Sequence, residues 1–364
     1  MIINTMEEKI REFWNNYKKQ IILIAVIVFV LIKTQAVISD RVNLTPEKVY
    51  EINTLPNVCE NVKAGGFSDL FYKDGKLYIL TDRGPNSDVK FIGEKEVRIF
   101  YCPNLVPTVY ETEFKENGGI KVTGKTKLSG VSGLPIDENN DCFPIGPNGS
   151  LLSPQLSGAD TEAFIIDKKG TYWIAEEYYP SIIKADKSLK VEKRFAPKGS
   201  TVLNSKITYN LPEELNGIQK NRGFEAMAYD GKNHIYIFTQ SALKGDTYGR
   251  IVKFNTKTEK VDRIYKYEID TDSKVSGAVM LNRNTILTVE FRNGIHQIRK
   301  VKLKGSKIKS QEVYPLTGLN NIDSNTKIEG IALGKKKLYI LNDNDYALSE
   351  TNRPDNFIIE FTLK

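Results

Sequence analysis

Five stretches of this chain share one pattern, and its return at long intervals restricts the fold more than composition does. They are SDLFYKDGKLYILTDRGP from Ser68, EAFIIDKKGTYWIAEEYYP from Glu162, EAMAYDGKNHIYIFTQSAL from Glu225, SGAVMLNRNTILTVEFRN from Ser276 and EGIALGKKKLYILNDNDY from Glu329. Each holds a short apolar run, a turn of Gly, Asp, Asn or Lys, and a second apolar run that ends in polar residues, the signature of a β-hairpin. Successive starts lie 94, 63, 51 and 53 residues apart, and repeats of roughly 40 to 50 residues point to propellers or solenoids. Radial repetition of four-stranded units protects most strand edges without a helical layer. The expected fold class is all-β, a β-propeller of four-stranded blades, behind an N-terminal membrane-anchor or signal helix.

Further β-like stretches follow the hairpins, at residues 96–101 and 109–114 after the first and at 250–255 and 261–269 after the third. The last strand, FIIEFTL, lacks a partner in its own blade, and residues 48–55 (KVYEINTL) are expected to complete it and fasten the ring. The first gap is close to twice the last two, so either a degenerate sixth blade or an insertion lies there. Residues 129–160 are rich in Gly, Pro, Asn and Ser with little alternation, which favours a long loop. Five blades are detectable and six is the alternative. Another loop-like insertion spans residues 196–221.

The spacing also gathers acids. Fourteen residues after the hairpin starts stand Asp82, Glu176, Glu290 and Asp343, while the third repeat has Thr239 with Gln240 beside it. The first residue of one strand and the last of its antiparallel partner share one end, so both sets are expected around the mouth of the central channel. That would crowd Glu162, Glu225 and Glu329 with Asp82, Glu176, Glu290 and Asp343, and bring Glu177 and Asp345 near. A hard divalent cation relieves such crowding, and calcium takes roughly six to eight oxygen ligands. The expected metal ligands are Glu162, Glu176, Glu225, Glu290, Glu329 and Asp343, with calcium the first choice. Arg83, Arg222 and Arg292 lie at the same hairpin ends, where an arginine pairs an acid or grips an anionic group in a bidentate fork. The expected catalytic set is Asp82, Arg83, Glu177 and Arg292. The alternative is a ring of turn acids that cap strand ends and pair arginines across blades.

Other chemistries lack their parts. The chain has 2 histidines, His234 and His296, too few for a zinc site built on several, and both are expected as satisfied strand residues. No G-x-S-x-G elbow, G-x-x-x-x-G-K-[ST] loop or G-x-G-x-x-G fingerprint occurs, which removes the usual anchors of serine hydrolase, P-loop and Rossmann sites. The acids at residues 137–141 lack the full spacing of a calcium loop and are expected to form a polar turn. The net charge of +7 is scattered, with no basic arm, so nucleic acid is not an expected partner.

Residues 21–32 read IILIAVIVFVLI, with Lys18 and Lys19 before them and Lys33 after. A run this short suits the core of a signal peptide, and extension through residues 34–38 would make it an anchor if Lys33 snorkels. The expected organisation is a cytoplasmic amphipathic segment at 1–20, with Ile10, Phe13, Trp14 and Tyr17 on one stripe, a transmembrane anchor or signal peptide at 21–38, and the propeller at 42–364 outside the cytoplasm. Cys59, Cys102 and Cys142 all fall in the exported part, where one disulfide and one free thiol are expected and the pairing is open.

The blocks GGFSDLFYKDGKLYILTDRGP, DTEAFIIDKKGTYWIAEEYYP, NRGFEAMAYD, LTVEFRN and KIEGIALGKKKLYILNDND, in this order, resemble the recurring blocks of the phytase-like family ("esterase-like activity of phytase") of exported bacterial proteins, over residues 48–364. The resemblance implies a β-propeller, export across the cytoplasmic membrane and a hydrolase acting on esters or phosphoesters. Its matched residues are Asp82, Arg83, Gly84, Glu162, Glu176, Glu177, Glu225, Glu290, Glu329 and Asp343, and the third hairpin departs from it at Thr239, Gln240 and Ser241. The expected function is a metal-dependent hydrolase of phosphoesters or other esters in the bacterial cell envelope, inner-membrane anchored through the N-terminal helix or secreted, with a small-molecule ester or phosphoester substrate. The alternatives are a non-catalytic envelope binding or scaffold propeller and a gluconolactonase-like lactonase.

Overall fold

The apolar runs are rich in Ile, Val, Tyr and Phe, side chains that pack well on a pleated surface, and short polar turns separate them. Asp74 and Gly75 close the first hairpin with φ of 51° and 86°, the two positive values that a tight two-residue hairpin turn requires. The computed structural model describes residues 14–18, 20, 22, 42–52, 55–115, 119–137, 141–201, 206–270, 272–319, 321–348 and 352–364.

The strands form five antiparallel blades. Blade 1 is Phe67–Lys73, Lys76–Thr81, Thr108–Phe114 and Ile120–Lys127. Blade 2 is Thr161–Ile166, Tyr172–Glu176, Ser181–Ala185 and Val191–Pro197, with Ile207–Leu211 added in parallel as a fifth strand. Blade 3 is Phe224–Tyr229, His234–Thr239, Tyr248–Asn255 and Lys260–Glu268. Blade 4 is Lys274–Asn282, Thr285–Arg292, Ile295–Lys304 and Lys307–Pro315. Blade 5 is Lys327–Leu333, Lys337–Asp343 and Phe357–Leu363, completed by Leu44–Glu51 from the start of the domain. The first strand of each blade packs against the first strand of the next, and blade 5 returns to blade 1. The ring is a five-bladed propeller, closed between one strand of the N-terminal end and three of the C-terminal end.

The closing strand runs four residues earlier than the expected 48–55. Its register slips at Pro46 and Lys48, and this outermost position tolerates a proline because no neighbour needs its missing N–H. Residues 96–101 also differ from expectation. Lys95–Ile99 leaves blade 1 and joins Lys90–Ile92 and Phe143–Ile145 in a separate three-stranded sheet. The long first gap is thus an insertion and no sixth blade.

The core lies between blades. Second strands such as Lys337–Asp343 are buried at nearly every position, since neighbouring blades cover both faces. Outer strands such as Lys307–Pro315 bury no residue fully. Between blades 2 and 3, Trp173, Phe195 and Phe254 pack with ring centroids 5.1 to 6.1 Å apart, inside the range where aromatic pairs attract beyond their area. The anchor or signal at 21–38, except Ile22, and most of the segment at 1–20 lie outside the described residues, and among the described residues no helix is long and apolar enough to cross a membrane.

Cys59 and Cys102 form a disulfide across 43 residues of chain, and Cys142 is a buried free thiol. The bond ties the strand pair ahead of blade 1 to the inserted sheet. On a chain-entropy basis a closed loop of this length stabilises by about 4 kcal/mol. Replacing Cys59 and Cys102 together by Ala should lower unfolding stability by that order, measured by denaturant titration without reductant.

Candidate functional site

Each innermost strand carries a β-bulge near its start. The register slips between Phe67 and Asp69, Thr161 and Ala163, Phe224 and Ala226, Val275 and Gly277, and Ile328 and Gly330. The extra residues are Ser68, Glu162, Glu225, Ser276 and Glu329, the five hairpin starts themselves. A bulge re-aims the side chain it inserts, and four of the five line one cavity of about 510 Å³ at the channel mouth. The residue after each bulge is small or polar because innermost strands meet closely there. A Cβ on Gly277 would stand 2.6 Å from the Glu329 carbonyl oxygen, and one on Gly330 would stand 2.6 Å from Leu70 Cδ2.

Two further rings surround the bulges. Two residues earlier on the innermost strands, Asp160, Lys274 and Lys327 line the cavity. On the second strands, the residue just past the partner of the pre-bulge position is Asp82, Glu177, Gln240, Phe291 or Asp343, and the first four line the cavity. Counting fourteen from each start does not select this ring evenly. Phe67 pairs with Thr81 and Ile328 with Asn342, whereas Thr161 pairs with Glu176 and Val275 with Glu290. A one-residue difference in hairpin length moves a side chain to the other face.

Glu176 and Glu290 accordingly leave the mouth. Glu176 is fully buried, takes Arg194 Nη2 at 2.7 Å and accepts hydrogen bonds from Ser181 Oγ at 3.0 Å and the Tyr178 N–H at 3.0 Å. Glu290 accepts from Tyr267 Oη and from Thr288 Oγ1 at 2.7 Å, with Arg299 Nε 3.4 Å away. Arg292 turns to Asp270 at 2.9 Å and lies off the cavity. Asp343 is buried beside it, accepting from the Phe67 N–H at 3.1 Å and the Asp345 N–H at 2.9 Å. These acids and Arg292 form the ion pairs between strands and blades that the capping alternative described.

The mouth brings Asp82, Arg83, Glu162, Glu177, Glu225 and Glu329 together. One carboxylate oxygen each of Asp160, Glu162 and Glu177 lies within 4.8 Å of the others. Glu225 keeps 5% exposure, and its Oε2 has no hydrogen-bond partner. Gln240 Nε2 donates to Glu177 Oε1 at 2.7 Å. Arg83 Nη1 meets Asp160 Oδ2 at 2.7 Å and Asp141 Oδ2 at 3.1 Å, so the acid expected as a mere turn residue at 141 helps seat this arginine. Tyr346 Oη and the Gly84 N–H both donate to Asp82 Oδ1, at 2.9 and 2.8 Å.

Crowding sets the electrostatics. Burial, then neighbouring carboxylates, raises Asp82, Glu162 and Glu177 well above the ordinary range, and burial with Glu329 lifts Glu225 to about 8. Like charges a few ångströms apart favour the protonated form unless a cation joins them. Asp345 goes the other way. Despite burial, Lys327 and Arg353 hold it at about 2. Sequence reasoning missed Asp160, Lys274 and Lys327, and a signal was present, since each stands two residues before a bulge residue and period two puts it on the same face.

Removing Glu176 leaves Arg194 buried without its counter-charge, so Glu176→Ala should cost ~3–5 kcal/mol of stability. Glu162→Gln relieves like-charge crowding and should leave metal-free stability unchanged or higher. Thermal melting in chelator distinguishes them. His296 gives a pH test. Its Nε2 meets the Thr326 carbonyl at 3.1 Å, its Nδ1 has no partner, and burial lowers its pKa from 6.5 to about 4. The unfolded chain takes up this proton first, so stability present above pH 6.5 is lost as pH falls toward 4, by ~3 kcal/mol. The difference between the wild type and His296→Gln should show that slope over this window.

A 143-residue stretch is 25% identical to an "Uncharacterized secreted protein" of Arthroderma benhamiae, covering 34% of this chain and 27% of that protein. Among solved structures, the PQQ-bound aldose sugar dehydrogenase of Streptomyces coelicolor aligns over 88% of this chain and 100% of its own at 10% identity and a TM-score of 0.43. A catalytically inactive virginiamycin B lyase of Staphylococcus aureus, solved with quinupristin, aligns over 89% of this chain and 100% of its own at 12% identity and a TM-score of 0.40. The model of the phytase-like family, described as esterase-like activity of phytase, matches residues 62–346, including the innermost strands of all five blades, and the chain belongs to that family.

Proposed function

We propose that this chain is an exported, membrane-anchored hydrolase of phosphoesters or other esters that works with a divalent cation, calcium first. The observation that carries this is the convergence of Asp160, Glu162 and Glu177 within 4.8 Å beside the unpartnered Glu225 Oε2. Oxygen-only donors suit a hard cation such as calcium or magnesium and not a thiolate- or imidazole-seeking metal. Membership of the phytase-like family supports ester chemistry. Export is supported by the apolar run at 21–32, the Cys59–Cys102 disulfide and the secreted relative.

Asp160, Glu162 and Glu177 would hold the cation, which when bound supplies Lewis acidity toward an ester or phosphoryl oxygen. Arg83 fixes Asp160 through the 2.7 Å contact and positions it toward Glu162. Glu225, with an oxygen at the cavity wall that has no hydrogen-bond partner, accepts the proton of the attacking water when ionised, a form that burial and crowding with Glu329 hold back to about pH 8 and that a nearby bound cation would favour. Arg222, at the mouth beside Gln240, takes the role of anion-facing group first assigned to Arg292. Glu177 serves as a ligand and not as the base, because Gln240 occupies one of its oxygens.

A binding propeller is the second reading, and one observation favours it. Phe91 and Ile92 on the inserted sheet are 68% and 61% exposed, while Asn86, Ser87 and Arg98 at the base of the same hairpin line the mouth. Turnover decides between the two. The purified full-length chain should hydrolyse p-nitrophenyl phosphate or a p-nitrophenyl ester in calcium and lose that activity in chelator. Glu225→Gln should lower kcat/KM at least ~100-fold. Chelation should also lower Tm, since a cation at a hundredfold excess over its Kd stabilises by about 2.7 kcal/mol. Elemental analysis without metal, together with no turnover and no shift in Tm, would leave the binding propeller.

A further inference from the structure

The charges of the mouth are unevenly divided around the ring. At the position two residues before the bulge, blade 2 has Asp160, whereas blades 4 and 5 have Lys274 and Lys327. Lys327 Nζ lies 2.9 Å from Asp343 Oδ2, 3.1 Å from Glu329 Oε1 and 3.5 Å from Asp345 Oδ1. Three carboxylates thus converge on one ammonium, as oxygen ligands converge on a bound cation. An ammonium is a compact point charge on a flexible stem, and the Lys327 side chain, 37% exposed, delivers it to that point from the open side of the cavity.

The opposite side is built differently. Among the described residues the group of Asp160, Glu162 and Glu177 has no lysine at ion-pair distance, and its contact cation is Arg83, which holds Asp160 while also serving Asp141 and Asn221; Lys327 acts on Glu162, and Arg83 and Arg222 on Glu177, only through their fields. Glu225 Oε2, almost fully buried, has no hydrogen-bond partner, although the Gln240 amide lies by the same carboxylate. Blade 5 without Lys327 would present Glu329, Asp343 and Asp345 with a single remaining cation, Arg353, whose Nε holds Asp345 Oδ2 at 2.8 Å.

The inference rests on the cation assigned above. We propose that Lys327 is a fixed replacement for a second divalent cation, filling the cage of Glu329, Asp343 and Asp345, so that the mouth takes one divalent cation, on the blade 2 side. The centre is mononuclear by construction, and an anionic group entering the mouth meets a divalent cation on one side and an ammonium on the other. Calcium reaches carboxylate oxygens at about 2.3–2.6 Å, shorter than the lysine contacts of 2.9 to 3.5 Å, so the three acids would have to draw inward to hold a cation once the ammonium is gone.

The experiment counts bound calcium-45 per full-length chain in detergent by equilibrium dialysis at saturating calcium. The expected result is one ion for the wild type, one for Lys327→Arg and two for Lys327→Met. One ion in both the wild type and Lys327→Met would overturn the proposal and leave Lys327 as an ordinary ion-pair partner, and two in the wild type would overturn it as well. No ion in the wild type with one in Lys327→Met would support Lys327 as the cage's cation while removing the metal from the proposed hydrolase. If Lys327→Met fails to fold, Glu329→Gln in the lysine-containing chain decides. It should still bind one ion, and a fall to none would show that the metal sits in the Lys327 cage and overturn the proposal.

Discussion

The bulge at the head of each innermost strand is the constraint on which the rest of the molecule depends. In a regular strand, successive side chains alternate between faces, so a residue at the channel end would either point into the interface between blades or run along the pore. One extra residue breaks that alternation and turns Glu162, Glu225 and Glu329 into the mouth. The same bulges demand close approach of neighbouring innermost strands, which Gly277 and Gly330 permit because they carry no Cβ. Site and ring closure are therefore one structural event. A residue that widened the strand spacing would open the channel and spread the acids at the same time.

The acids that miss the mouth tie strands within their blades, and Glu290 also reaches Tyr267 of blade 3. Glu176 with Arg194 is a buried pair, and Glu290 is a buried acid that meets Tyr267 and the partly exposed Arg299, so the pairing has to offset the loss of water. Buried pairs of this kind add little net stability, but losing one partner is expensive, so they fix register more than they add strength. Asp343 joins the two roles. It anchors the start of blade 1 through the Phe67 N–H and also holds Lys327 at the mouth.

Much of this was legible in the sequence. The five hairpins, their spacing, the closing strand from the start of the domain and the insertion after the first hairpin all follow from patterns that depend on local propensity and period. The site was legible to the level of the ring and no finer. A count of fourteen put Glu176 and Glu290 among the ligands, because the sequence shows that hairpins recur but not that those of blades 2 and 4 are one residue longer, in blade 4 through a second bulge between Met280 and Asn282. The bulge made the remaining difference, as period-two reasoning from the hairpin start fails across an inserted residue. Asp160, Lys274 and Lys327 were missed because they precede the repeating pattern. Arg83 was found, yet its seat depends on Asp141, 58 residues away in the chain, a pairing that only the closed ring creates.

The uneven ring explains why a pocket so rich in carboxylates belongs to a chain of net positive charge. A fully acidic mouth would repel any anionic substrate and would need several cations to stay folded, while a fully basic one would have no place for a metal. Blade 2 keeps its acids close and only partly neutralised, and blade 5 answers with an ammonium already in place. The repeats differ at a single ring position, two before the bulge, where Asp160, Lys274 and Lys327 line the mouth while Gly66 and Gly223 admit the close approach of Tyr346 and of the Glu177 carbonyl. Asp in blade 2 and Lys in blades 4 and 5 set the field across the channel, whereas any side chain in place of Gly66 or Gly223 would collide with its neighbours. In a five-bladed ring, that one position is enough to separate a carboxylate-rich side from a side that carries its own ammonium.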